Sequence, residues 1–237
     1  MLSNFYFIFY ILAIASVIVM IVAQVKVENA FSKNNKIMCK TKITGAQFAR
    51  DILAAAKLSD IDVIKVSGTM SDYYHHSKKV LALSSSYSST SVAALGIAAH
   101  EVGHALQYKE GYGLIKVRNF LIPITNFTAR FFPLIIIVGL VISIFLGFGV
   151  YSDIMIVGGI SFYFLSFLVN LVTLPVEYDA SRRAKELLLE TGAVDSEEIK
   201  GVSEVLNAAA LTYVASALTS LVYLLRFLLI FAKHRDD

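Results

Sequence analysis

Four stretches of this chain are apolar over about the 20 residues that a helix needs to cross a bilayer, and they limit what it can fold into. The first, Phe5 to Gln24, is uncharged. No Lys or Arg cluster precedes it and no small-x-small cleavage site follows it, so it reads as a retained anchor rather than a cleaved signal. The second and third, Phe132 to Val150 and Ile154 to Leu174, are separated only by Tyr151, Ser152 and Asp153, a break short enough for a tight helical hairpin. The fourth, Ala208 to Phe231, carries one charge, Arg226, whose long stem can snorkel toward Lys233-His234-Arg235. The composition agrees: 57% of residues are hydrophobic and 16% charged, against about 25% charged in soluble proteins.

Orientation follows from where Lys and Arg lie. Most fall between the first and second spans, from Lys26 to Arg130, and a second set, Arg182, Arg183, Lys185 and Lys200, lies between the third and fourth. The hairpin turn and the segment before the first span have none. Both basic loops are therefore expected in the cytoplasm and both termini outside, with Lys233 and Arg235 as the dissenting charges. The expected organisation is a transmembrane anchor over residues 1–24, a cytoplasmic domain over 25–130, a transmembrane hairpin over 131–174, a cytoplasmic helix over 175–207, and a last span with a short tail over 208–237. The fold class is thus a mainly α membrane protein of about four transmembrane helices with a small α+β cytoplasmic domain. A net charge of +3 from scattered cations gives no footprint for nucleic acid. The single cysteine, Cys39, cannot form an internal disulfide and reads as a free thiol.

Within the long loop, Ala46 to Lys57 follows Thr44-Gly45 as a helix, and Ile61 to Val66 and Val80 to Leu83 read as strands. A Ser-rich tract, Ser84 to Ser91, ends where the next helix should start, with Ser89, Thr90 or Ser91 as N-cap. That helix, Val92 to Tyr108, contains His100-Glu101-Val102-Gly103-His104. A four-residue spacing puts both imidazoles on one helical face, where they can ligate one zinc, and the intervening Glu101 can act as general base. The neighbours Ala98, Ala99, Val102, Gly103, Ala105 and Leu106 are uncharged, and burying two His and a Glu among them without a metal would be costly.

A catalytic zinc takes a third protein ligand. The metzincin extension is excluded, because its Gly and His positions hold Gln107 and Glu110. His75 and His76 lie in the same loop, and Glu110 is near in sequence but past the helix end. The best candidate is Glu177, just beyond the third span and on the same expected side of the membrane. Pro175 can open a new helix or kink an existing one, and Glu177, Ala180, Ser181 and Ala184 would then form a face of small residues against which the His helix can pack. Asp179 would point away and pair with Arg182 or Arg183.

His100 to Gln107 with Ala98-Ala99 before it, and the run Glu177-Tyr-Asp-Ala-Ser-Arg-Arg-Ala184 after the hairpin, resemble the YugP-like neutral zinc metallopeptidases of bacterial membranes. The likeness extends to the first span, the Thr44-Gly45-Ala46 helix, Gly68, Asp72 and the order of spans. It implies a gluzincin-type site with His100, His104 and Glu177 as ligands of one zinc ion and Glu101 as base. More distantly the chain is similar to HtpX-like and CAAX-processing membrane peptidases. Those carry Asp four residues after the ligand Glu, where this chain has Ser181, so a carboxylate orienting a ligating His would come from elsewhere, with Asp72 the candidate. Asp72-Tyr73-Tyr74-His75-His76 departs from the Asp-His-Tyr-Asp-Pro associated with the family and reads as a surface polar turn.

The function expected is that of a zinc metalloendopeptidase of the cell membrane, multi-pass, with its active site on the cytoplasmic side. Zinc polarises the scissile carbonyl and the attacking water, and Glu101 relays the proton to the leaving amine. Partners are a peptide or protein substrate, membrane proteins included, and the lipid bilayer. Val80 to Leu83, as an exposed edge, could hold an extended substrate by strand addition. Two alternatives stand beside this reading. A site-2-type intramembrane protease would need its HExxH inside a long span and an Asp in a later one. A membrane scaffold with structural zinc would need a fourth ligand, His75 or His76, and would leave Glu101 dispensable.

Overall fold

The computed structural model describes residues 2–146 and 149–236. Six helices and three short strands follow in order: α1 (Leu2–Asn34), α2 (Gly45–Ala55), β1 (Asp62–Lys65), β2 (Tyr73–His75), β3 (Val80–Leu83), a single 3₁₀ turn (Ser85–Tyr87), α3 (Val92–Lys109), α4 (Gly113–Leu146), α5 (Gly149–Glu190) and α6 (Glu198–Asp236). The protein is mainly helical. Among the described residues three helices are long and apolar enough to cross a membrane: Phe7–Asn34, Met155–Glu190 and Glu198–Ala232.

The long helices do not stop where their apolar runs do. The first continues ten residues past Gln24 to Asn34. Tyr151 to Asp153, expected to be the hairpin turn, lie in α5, which begins at Gly149; residues 147–148 lie outside the described residues. The span expected over Phe132 to Val150 is helical in backbone to Leu146, in α4, and again from Gly149, in α5. Pro175 starts no new helix: α5 runs through it without interruption to Glu190. A single proline removes one i→i−4 bond, and the helix on both sides of it absorbs that loss.

The chain divides into two compact units. One comprises Met1–Val22, Lys116–Leu174 and Thr212–Asp237. In it α5 packs on α6 where Gly159 leaves room for the ring of Phe227, Tyr163 stacks on Tyr223 at 5.1 Å, and Asn170 donates to Ser220 Oγ at 3.4 Å. Arg226 sits 4.6 Å over the ring of Tyr10, a cation–π contact that satisfies the lone charge of that stretch. Side chains of the apolar helices such as Phe7, Ile14, Ile21 and Phe164 are exposed, as lipid-facing residues are.

The second unit is Ala23–Ile115 with Pro175–Leu211. Its sheet has the order β1-β3-β2, with β1 parallel and β2 antiparallel to β3. Val80 to Leu83 is therefore the central strand and not an exposed edge; Leu81, Ala82 and Leu83 are fully buried. Three β-branched or aliphatic side chains in a row suit a strand covered on both faces, which is why this segment took the middle. The exposed edge beside α3 belongs to β2, in the segment read as a polar turn. Thr44 caps α2 by accepting from Gln47 N–H, and α2 buries Ala46, Phe48, Ala49 and Leu53.

The helix α3 runs through the middle of this unit. One of its faces, Leu95 and Ala99, joins Phe48, Ala184, Leu188, Val202 and Cys39. The other, Ala98, Val102 and Ala105, joins Leu53, Leu81 and Leu83. Burial pushes the Cys39 thiol up to about 12, with Glu198 and Asp195 adding to the rise, so it is an inert apolar side chain.

Candidate active site

Ser91 begins α3 by accepting a hydrogen bond from Ala94 N–H at 3.2 Å. The helix ends at Lys109, and beyond it Gly111, with a φ of +72°, lets Tyr112 N–H reach Gln107 O and Gly111 N–H reach Tyr108 O, the paired bonds of a Schellman stop. Between these ends Gly103 decides the packing. A Cβ there would lie 2.8 Å from Ala180 O and 3.3 Å from Ala180 Cα. Only glycine allows the His helix to lie backbone to backbone against the part of α5 that carries Glu177, Ala180, Ser181 and Ala184.

That approach brings three groups together. One ring nitrogen of His100, one of His104 and a carboxylate oxygen of Glu177 lie within 4.8 Å of one another. His100 Nε2 is 3.1 Å from Glu177 Oε2, and His104 Nε2 is 3.7 Å from Oε1. Glu177 and His104 are buried, and the two rings meet edge to face at 4.7 Å. Two imidazoles and one carboxylate form the donor set of a catalytic zinc site, and among the described residues no fourth His, Cys, Asp or Glu joins them. The residues present fit a zinc ion.

The outer nitrogens are held as well. His100 Nδ1 lies 3.2 Å from Ser181 Oγ, and His104 Nδ1 lies 2.9 Å from Gln107 Oε1. Gln107 Nε2 donates to Val176 O at 2.8 Å and to Asp179 Oδ2 at 2.9 Å. Asp179 in turn accepts from Arg182 and Arg183, each at 2.6 Å, and Arg183 also pairs with Glu110 at 2.7 Å.

Glu101, next to His100, is buried. Burial pushes its carboxyl up to about 7; His100 opposes the rise, Glu177 and Asp72 add to it, and a hydrogen bond from Tyr74 N–H opposes it. A buried carboxyl beside the two histidines is suited to take up and give back a proton.

The other residues singled out in the sequence lie elsewhere. His75 Nδ1 accepts from Lys78 N–H at 3.3 Å. His76 stacks on Tyr108 at 3.9 Å between centroids, with Tyr74 Oη 3.2 Å from its Nδ1. Asp72 orients no histidine: its two oxygens take Ser84 N–H at 2.7 Å and Ser84 O–H at 2.9 Å, pinning the strand end. The position that departs from the distant relatives, Ser181, is itself the partner of His100. Asp179 does pair with both arginines, but it faces the site too, through Gln107. The role of Gln107 went unread in the sequence, although a polar side chain three residues after His104 on a buried helix was a signal that could have found it.

A membrane-associated chain with a His-Glu-x-x-His helix closed by a glutamate from a second helix has the attributes of a metal-dependent peptidase. The chain belongs to the family described as "Putative neutral zinc metallopeptidase", whose model matches residues 9–232. It is 40% identical over 231 residues, 97% of this chain and 99% of the relative, to "Putative membrane protease YugP" of Bacillus subtilis. No solved structure matches it.

Proposed function

We propose that the chain is a zinc-dependent metalloendopeptidase of gluzincin type, cutting peptide or protein substrates at the cytoplasmic face of the cell membrane. The observation that carries this reading is the convergence of His100, His104 and Glu177 within 4.8 Å, next to Glu101. These three would hold one zinc per chain and leave a coordination position for solvent and substrate. When bound, zinc supplies Lewis-acid polarisation and a more acidic water. The proton work falls to Glu101, whose carboxylate oxygen accepts a proton from the attacking water and passes it to the leaving amine nitrogen. Ser181 and Gln107 keep the two imidazoles in place. The outer edge of β2, whose Tyr74 N–H reaches Glu101, offers backbone groups to an extended substrate. The concentration of Lys and Arg between the first and second and between the third and fourth expected spans supports a cytoplasmic site.

The test compares two variants by zinc content and by hydrolysis of a quenched fluorescent peptide library. Glu101→Gln keeps the shape and removes the basicity, so it should retain zinc and lose about 10²–10⁴-fold in hydrolysis. Glu177→Ala should lose zinc. Wild-type hydrolysis by Glu101→Gln sinks the mechanism, and full zinc retention by Glu177→Ala moves the third ligand elsewhere.

A further inference from the structure

The structure assigns to Gln107 the task of fixing the tautomer and ring plane of His104, and to Asp179 the task of holding the Gln107 amide; this rests on the zinc reading above. A primary amide has two chemically opposite ends, so its surroundings decide which way it faces. The Gln107 nitrogen lies 2.8 Å from Val176 O and 2.9 Å from Asp179 Oδ2. Both of these can only accept: one is a backbone carbonyl, the other a carboxylate already engaged by Arg182 and Arg183. Turned over, the amide would set its oxygen against two acceptors in a fully buried place.

The end that faces His104 Nδ1, at 2.9 Å, is therefore the oxygen, which can only accept. The ring must carry its proton on Nδ1. A neutral imidazole so protonated keeps its lone pair on Nε2, the nitrogen 3.7 Å from Glu177 Oε1 and the one aimed at the proposed metal. His100 has no such constraint, since the Ser181 hydroxyl at its Nδ1 can donate or accept. The two histidines are thus held by unequal means, His104 by an amide locked at both ends and His100 by a rotor. Gln107 and Asp179 are positioning residues: they act through His104.

The test uses the full chain in detergent, with zinc affinity read by competition with a chromogenic chelator and zinc-free thermal midpoints recorded beside it. Gln107→Met keeps the volume and removes the hydrogen bonds, and it should bind zinc about 10–100-fold more weakly. Asp179→Asn should weaken binding less, and adding it to Gln107→Met should cost nothing more, because its effect passes through the amide. Lowered midpoints with unchanged zinc affinity would make Gln107 merely structural and overturn the inference. An additive double variant would overturn the part given to Asp179. A wild-type chain that binds no zinc would overturn both this and the function proposed above, whereas equal binding by wild type and Gln107→Met would overturn this alone. Should Gln107→Met not fold, ¹⁵N-histidine NMR of the zinc-loaded wild type decides: zinc on His104 Nε2 with a proton on Nδ1 is expected, and zinc on Nδ1 overturns it.

Discussion

The contact that sets the site's dimensions is the one made by a missing side chain, at Gly103. Its neighbour across the gap is Ala180 O, a backbone atom that cannot rotate away, so a methyl group there must move a whole helix. Gly103→Ala should cost about 1–3 kcal/mol in thermal unfolding. It should also weaken zinc binding, because His100 and His104 ride on the helix that is displaced while Glu177 stays on the other. A variant with unchanged stability and unchanged zinc affinity would show that the two helices can part without harm. At this scale the placing of His100 and His104 on one face was legible from spacing, since four residues make about one helical turn. Their partners were not. Gln107 and Ser181 act on His104 and His100 across local geometry, and Asp72 was drawn by its charge into a role that Ser84 occupies instead.

Among the elements, α3 is framed by an N-cap that the Ser-rich tract left three ways open and the structure resolves to Ser91. The Ser91 hydroxyl accepts from Ala94 N–H and also donates to Asn35 Oδ1 at 2.7 Å. Ser91→Ala should therefore lower stability by about 1–2 kcal/mol, the upper part of the range for a lost cap. Thermal unfolding in detergent checks this, and no measurable change would mean that the start of α3 is held by packing alone. Local pattern located α2, β1, β3 and α3 to within a residue or two: β-branched or continuous apolar runs marked the strands, and capping residues and runs without proline marked the helices. It could not assign β3 to the middle of the sheet, since pairing partners are set by tertiary contacts. It also missed β2, whose Tyr73-Tyr74-His75 has no apolar alternation to mark it. The long helices outran their apolar segments for a related reason: hydropathy marks where the surroundings are apolar, not where backbone hydrogen bonds end.

For the whole molecule, the distribution of Lys and Arg predicts that Ser67 is cytoplasmic and Ser152 outside. A membrane-impermeant maleimide added from outside should label Ser152→Cys and spare Ser67→Cys. Since Cys39 is buried among Phe48, Leu95 and Val202, the background for this labelling is best made with Cys39→Ala, which brings no hydroxyl into that cluster. The reverse labelling pattern would invert the orientation and move the site to the other side of the membrane. The separation of the site's two halves along the chain has a consequence for its biosynthesis. His100 and Glu177 lie 77 positions apart. At translation rates of about 5–20 residues per second, the ribosome needs roughly 4–15 s to pass from one to the other. For nearly all of that interval the nascent chain carries His100, Glu101 and His104 but not Glu177. Any message cut short before Pro175 yields a protein without Glu177, which cannot assemble the proposed metal site.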